Sequence, residues 1–224
     1  MGWYDLFSYV YDRSLEPLYR EARGLAAEAL HLAPGLTVLD APTGTGQSLV
    51  ELARPVLPGG RVIGADVSAG MLARATARVE AAGLSNVTLL QSDVHAVSEA
   101  AWAGLAEAPA GSPARAGQVD RLHIFLGLSA FPRWEAAFDA LWARLVPGGR
   151  CVVVDVHADP LGFQGRMVNL VARADIRRET WAPLQRAGVN FTRHDLPSKK
   201  EHGGQLFLAA ADKPTEPRVS FVDS

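Results

Sequence analysis

Apolar and polar positions alternate along the chain with two periods, one helical and one extended. An aromatic-rich start (Trp3, Tyr4, Phe7, Tyr9, Tyr11, Tyr19) leads into Leu25, Ala26, Ala29 and Leu30 at helical spacing, which predicts an N-terminal helical segment over residues 3–32. Pro34-Gly35 breaks it, and Thr37, Val38 and Leu39 predict a short buried strand that ends at Asp40. A helix over 47–57 is stopped by Pro58-Gly59-Gly60, and a second strand over 61–65 ends at Asp66. Ser68 can cap a helix over 69–82 that Gly83 closes, and a third strand over 87–90 precedes Asp93. Residues 96–118 are rich in Ala, Gly, Pro and Ser, with Trp102 and Leu105 as large apolar anchors, and predict a loose helix and a long loop. A fourth strand over 119–126, a helix over 134–145, a stop at Pro147-Gly148-Gly149 and a fifth strand over 151–154 ending at Asp155 complete the alternation. Beyond it lie an inserted helix over 158–178, a helix over 179–186, and closing strands over 189–193 and 206–210 joined by a polar turn at 199–204. Strand and helix in alternation, with nearly continuous apolar strands, predict an α/β fold whose parallel sheet is covered on both faces, with its ligand beyond the carboxyl ends of the strands.

Composition narrows the function. At 224 residues, 48% apolar and 21% charged, the chain suits one α/β domain over residues 1–212 with a loose tail at 213–224, and disorder as the main state is excluded. A formal net charge of -2 provides no global basic field, so nucleic acid is not an expected partner. Cys151 is the sole cysteine, which excludes an internal disulfide and a multi-cysteine metal site and suits a reducing compartment, so the expected location is cytoplasmic. No run reaches the roughly 18 apolar residues of a membrane span, and the first dozen residues carry Asp5 and Asp12 where a signal peptide would be basic.

The chemistry concentrates in Val38-Leu39-Asp40-Ala41-Pro42-Thr43-Gly44-Thr45-Gly46, a carboxylate at a strand end followed by a glycine turn into a helix. A dinucleotide fingerprint would need a third glycine where Leu49 stands, and Asp40 would repel a pyrophosphate on the helix N-terminus. A Walker loop fails because no Gly-Lys-Ser/Thr follows. Asp40 suits a ligand with a cationic group and no phosphates.

This segment resembles the first motif of class I S-adenosylmethionine (SAM) dependent methyltransferases, with Pro42 in place of the first glycine. Gly64-Ala65-Asp66-Val67-Ser68 with Met71-Leu72, then Ser92-Asp93-Val94, then Leu145-Val146-Pro147-Gly148-Gly149-Arg150 resemble the later motifs in order and spacing. Tyr11-Asp12 and the Asp66-to-Leu72 run are similar to the ubiquinone/menaquinone biosynthesis (type 11) small-molecule group. The resemblance implies a Rossmann-like, doubly wound, mostly parallel seven-stranded sheet with an antiparallel C-terminal strand and a helical lid over residues 1–35. It further implies SAM as cofactor and S-adenosylhomocysteine as product. Asp66 would accept the ribose hydroxyls beside Val67, while Asp93 and Val94 would read the adenine, with a capping role as the alternative for each aspartate. Met71 would pack on the adenine or fill the core. Ala41, Thr43, Gly44 and Gly46 would line the amino acid end, Asp40 would order the loop or receive the amine through a water, and Phe125 and Leu126 would offer backbone to that amine. Tyr11 would sit over the methionine end, where an aromatic attracts a sulfonium, with a plain core tyrosine as the alternative.

Catalysis by in-line displacement needs chiefly a positioned nucleophile, and for a neutral acceptor a base. His157, after the fifth strand on the carboxyl edge, is the expected base, with a surface or capping role as the alternative. His123 inside the fourth strand reads as a core histidine, His194 and His202 read as solvated, and no metal site is expected. Trp3, Tyr4, Phe7, Phe131, Trp134, Phe163 and Met167 would form the pocket for a small-molecule or lipid-like acceptor, with the inserted helix over 158–178 near the acceptor side. Two alternatives stand beside methyl transfer: transfer of the aminocarboxypropyl group of SAM, and a SAM-binding regulatory protein without turnover.

Overall fold

The computed structural model describes residues 16–95, 117–172, 174–197 and 203–215. Its centre is a seven-stranded sheet in the order β3-β2-β1-β4-β5-β7-β6, with β1 at Thr37–Asp40, β2 at Arg61–Asp66, β3 at Val87–Gln91, β4 at Val119–Phe125, β5 at Leu145–His157, β6 at Val189–Asp195 and β7 at Gln205–Asp212. Neighbours from β3 to β5 pair in parallel, and β7 runs antiparallel to both β5 and β6. The strand order reverses between β1 and β4, so their carboxyl ends open a crevice there. Period-2 alternation explains the layering. Leu39, Ile63, Leu122, Ile124, Val153 and Phe207 face one side with Phe138 and Leu141 of α4 (Trp134–Arg144) and Leu184 of α6 (Ala182–Ala187). Val38, Val62, Val152, Val154 and Leu208 face the other, where α1 (Glu16–Ala29) packs Tyr19, Ala22 and Ala26, and α2 (Leu49–Ala53) and α3 (Ala69–Ala81) pack Leu49, Leu52 and Ala75. The remaining helix, α5, spans Phe163–Ala172.

Several sequence expectations change at their boundaries; the inserted helix expected over 158–178 is limited to α5, and the fifth strand expected over 151–154 extends over all of β5. The helix expected over 47–57 is limited to α2, with turns following to residue 59. Pro147-Gly148-Gly149 does not end a helix ahead of a new strand. It lies inside β5 as a bulge between the Val119↔Leu145 and Arg121↔Arg150 pairs, with Gly148 at φ +78°. Gly149 permits it, because a Cβ there would lie 2.7 Å from the Leu145 side chain and 2.9 Å from the Asp120 carbonyl. The C-terminal end of α1 has no basic residue of its own in its last turn. Arg150 Nε donates to Ala29 O, and Arg121 Nε donates at 2.6 Å to Leu30 O just beyond the helix, so strand arginines satisfy the orphan carbonyls.

Candidate functional site

The carboxyl ends of β1, β2 and β4 converge on the glycine loop. Thr43 N–H donates to Ala65 O at 2.9 Å, and Gly46 N–H to Thr43 O at 2.9 Å, which folds the loop back on β2. Asp40, 1% exposed, accepts the Thr43 hydroxyl on Oδ2 at 2.6 Å and faces His123 Nδ1 at 2.7 Å on Oδ1, so it ties the loop to β1 and β4. Ala41 N–H completes the tie by donating to His123 O at 3.0 Å. Gly44 and Gly46 both have positive φ. They differ in surroundings. A Cβ on Gly46 would meet Leu49 and Ala75 within 3 Å, so this glycine brings α3 close, whereas nothing lies within 4 Å of a Cβ on Gly44 and that face of the loop is open.

Asp66 sits beside that open face. Its Oδ2 accepts Gly44 N–H and its Oδ1 accepts Ser68 N–H, each at 2.9 Å. A carboxylate offers about four lone-pair positions, so two such bonds leave acceptor capacity for hydroxyl donors. Burial pushes the Asp66 carboxyl up, against the lowering effect of the two N–H bonds. Ser68 caps α3, with Oγ accepting Met71 N–H at 3.3 Å. Val67, 66% exposed, presents apolar surface next to the carboxylate. Asp93 is exposed and its Oδ1 accepts His95 N–H at 2.9 Å, while Val94 is buried in the core. Leu126 has φ +53°, uncommon for a bulky residue, and its N–H is held by Val154 O at 2.8 Å. Phe125 packs edge-on against Tyr19 with centroids 6.0 Å apart.

The loop after β4 is fixed from the other side. Ser129 N–H and Oγ donate to Asp155 at 2.9 and 2.7 Å, and Arg178 Nη1 donates to Phe131 O at 2.7 Å. Burial pushes the Asp155 carboxyl up, opposed by the Ser129 bonds. His157 is half-buried at the end of β5, with Nδ1 3.4 Å from Arg178 O and its ring edge-on to Trp181 at 4.9 Å. Of the expected acceptor pocket, Phe131 and Trp134 are half-buried and Phe163 is 79% exposed. Trp3, Tyr4, Phe7, Tyr11 and His202 lie outside the described residues, as does the Met167 side chain. Among the described residues no helix is long and apolar enough to cross a membrane, and no group of three or more His, Cys, Asp or Glu is placed to hold a metal ion. Sequence reasoning did not connect His123 to Asp40. The pairing of β1 with β4 makes them neighbours across 83 positions, and no local pattern carries that signal.

Known proteins share this architecture. A demethylmenaquinone methyltransferase of Thermus thermophilus is 35% identical over 137 residues, covering 61% of this chain and 54% of that protein. The chain spans about half the length of the curated relatives it matches. A SAM-dependent methyltransferase structure from Aquifex aeolicus superposes with a TM-score of 0.66 at 20% identity, covering 94% of this chain and 98% of that one. The cyclase SpnF superposes at 0.65 with 19% identity, covering 88% and 81%. Residues 32–190, well over half of the 224, match the methyltransferase domain family, and the chain belongs to that family.

Proposed function

We propose that this protein binds SAM across the carboxyl ends of β1 and β2 and catalyses transfer of its methyl group to a small-molecule or lipid-like acceptor. The observation that carries the reading is the Asp66 carboxylate, held by one N–H on each oxygen beside the open face of Gly44. A ribose with two free hydroxyls fits the remaining lone pairs, and Val67 offers the adjoining purine an apolar surface. The backbone of the glycine loop and of Phe125-Leu126 then faces the amino acid end, with Met71 and Asp93 toward the adenine. SAM supplies an electrophilic methyl carbon on a sulfonium. The protein's part is to hold the acceptor atom in line and to remove its proton where it has one. His157 is the base in this reading. With the Nδ1 proton directed at Arg178 O, the basic lone pair is on Nε2. The relatives named demethylmenaquinone methyltransferases support a lipid-like acceptor.

A second reading, SAM binding without methyl transfer, stands beside it because a shared fold does not choose the reaction, and a protein named a cyclase has this fold. Incubation with methyl-labelled SAM and a panel of quinol, phenol and prenyl acceptors decides. S-adenosylhomocysteine with label in the acceptor supports the proposal. Methylthioadenosine would mean aminocarboxypropyl transfer, and intact SAM retained on the protein across the panel would mean binding alone.

A further inference from the structure

We propose that His123 is a positioning residue for the cofactor loop, acting through Asp40 and Thr43 to hold the Gly44 amide where Asp66 receives it. The inference rests on the cofactor reading of that loop. His123 and Asp40 are register partners on adjacent parallel strands, and both side chains are 1% exposed. The Asp40 carboxylate accepts the Thr43 hydroxyl on Oδ2, and a carboxylate only accepts, so the proton on the 2.7 Å contact to Oδ1 belongs to His123 Nδ1. The other ring nitrogen, Nε2, is buried and has no hydrogen-bond partner among the described residues. A leucine would fill this position without that cost, because the same face of the sheet carries Val38, Val152 and Val154. What histidine adds is the bond to Asp40, with the ring turned for it by stacking on Phe125 at 5.8 Å and 30°.

From Asp40 the tie runs outward without a gap. Bare Gly64 on β2 leaves the space for the Thr43 side chain, since a Cβ there would lie 2.9 Å from Thr43 Oγ1. Thr43 is anchored by its own N–H on Ala65 O, and the next residue, Gly44, donates to Asp66. A change at the centre of β4 is thereby transmitted to the carboxylate assigned to the ribose.

His123→Leu removes the donor at similar volume, and His123→Asn places an amide N–H near the former Nδ1. Two measurements are made on the full chain: amide hydrogen exchange of the ligand-free protein over residues 41–46, and calorimetric titration with S-adenosylhomocysteine. His123→Leu is expected to speed exchange in the loop and weaken binding by about tenfold each, the scale of one hydrogen bond, with His123→Asn restoring both to within about threefold. Unchanged loop exchange in the leucine variant, or an asparagine variant as impaired as the leucine one, would overturn the inference. Should His123→Leu fail to fold, Thr43→Val interrupts the same tie one link outward, and unchanged exchange there overturns it equally. Wild-type protein that does not bind S-adenosylhomocysteine would remove the cofactor reading, while the exchange data still decide the role of His123 in the loop.

Discussion

At the scale of single residues, Asp66 carries the sharpest expectation. If Asp66 holds the ribose as proposed, Asp66→Ala removes the acceptor of both its hydroxyls and should weaken S-adenosylhomocysteine binding by about 2 kcal/mol or more in calorimetry. Burial raises the Asp66 pKa, so its protonation, which removes acceptor capacity, occurs at a higher pH than for an ordinary carboxyl. Wild-type affinity should therefore fall as pH is lowered through that raised value, and Asp66→Asn should flatten the dependence. For His157, replacement by Ala should lower turnover by about 100-fold with cofactor affinity unchanged, since a base acts on the acceptor in the transition state. Normal turnover with a normal pH profile would remove it from the mechanism. Pro42, the departure from the glycine pattern, meets its counterpart in Gly127, where a Cβ would lie 2.3 Å from Pro42 Cδ. Gly127→Ala should cost about 2 kcal/mol in denaturant unfolding, and adding Pro42→Gly should recover part of it, a coupling that independent sites would not show. Nothing in the sequence could join residues 42 and 127, because their contact depends on two loops meeting at adjacent strand ends. The acid at position 66 was legible for the opposite reason: a carboxylate closing an apolar strand is costly without partners, and that is visible locally.

At the scale of elements, a recurring device is a buried aspartate at a strand's carboxyl end that fastens a loop. Asp40 holds Thr43, Asp66 holds Gly44 and Ser68, and Asp155 holds Ser129. The three tie the loops after β1, β2 and β4 into one platform. Its β4 side is testable through Ser129→Ala, which deletes the 2.7 Å bond to Asp155 and should destabilise by about 1 to 3 kcal/mol at neutral pH. The sign with pH follows from Asp155. Its carboxyl is raised in the folded state by burial and lowered by Ser129, so losing Ser129 raises it further. The folded variant then binds its proton at higher pH, and the gap to wild type should widen as pH rises through that range and narrow in acid. Equal gaps at acidic and neutral pH would show that Asp155 does not feel the Ser129 hydroxyl. Element boundaries were less legible than element order. Pro-Gly-Gly signals a break, but helix stop and strand bulge use the same residues, and only the pairing of Leu145 with Val119 distinguishes them. Likewise the apolar positions of 47–57 fit a helix, yet α2 ends at Ala53 ahead of the turns that lead to Gly60. Gly60 needs its bareness there, since a Cβ would lie 2.3 Å from Val56 O.

At the scale of the whole molecule, the topology was legible because alternating helical and extended periods leave few arrangements for a parallel sheet, and the reversed β7 follows from the hairpin with β6. The ligand class follows from where the charges fall on that topology. In the proposed reading, the crevice at the reversal of strand order has Asp66 at the end of β2 and the buried Asp40 behind it at the end of β1, carboxylates whose field disfavours phosphates and suits a sulfonium-bearing amino acid joined to a ribose. Ligand that binds only the folded state stabilises it by mass action, about 2.7 kcal/mol at 100 times Kd. For a domain of this length that corresponds to a rise in Tm of roughly 5–10 °C. S-adenosylhomocysteine and SAM should therefore raise the melting temperature in a concentration-dependent way, while NAD and FAD at equal concentration leave it unchanged, their pyrophosphates being repelled at the loop. The ionic-strength dependence separates the causes. If carboxylate repulsion excludes the dinucleotides, added salt should reduce that exclusion and bring a weak shift with NAD, whereas exclusion by shape alone is indifferent to salt. A shift with a dinucleotide and none with S-adenosylhomocysteine would mean that the crevice reads a pyrophosphate after all, and the assignment of Asp66 to a ribose would fall with it.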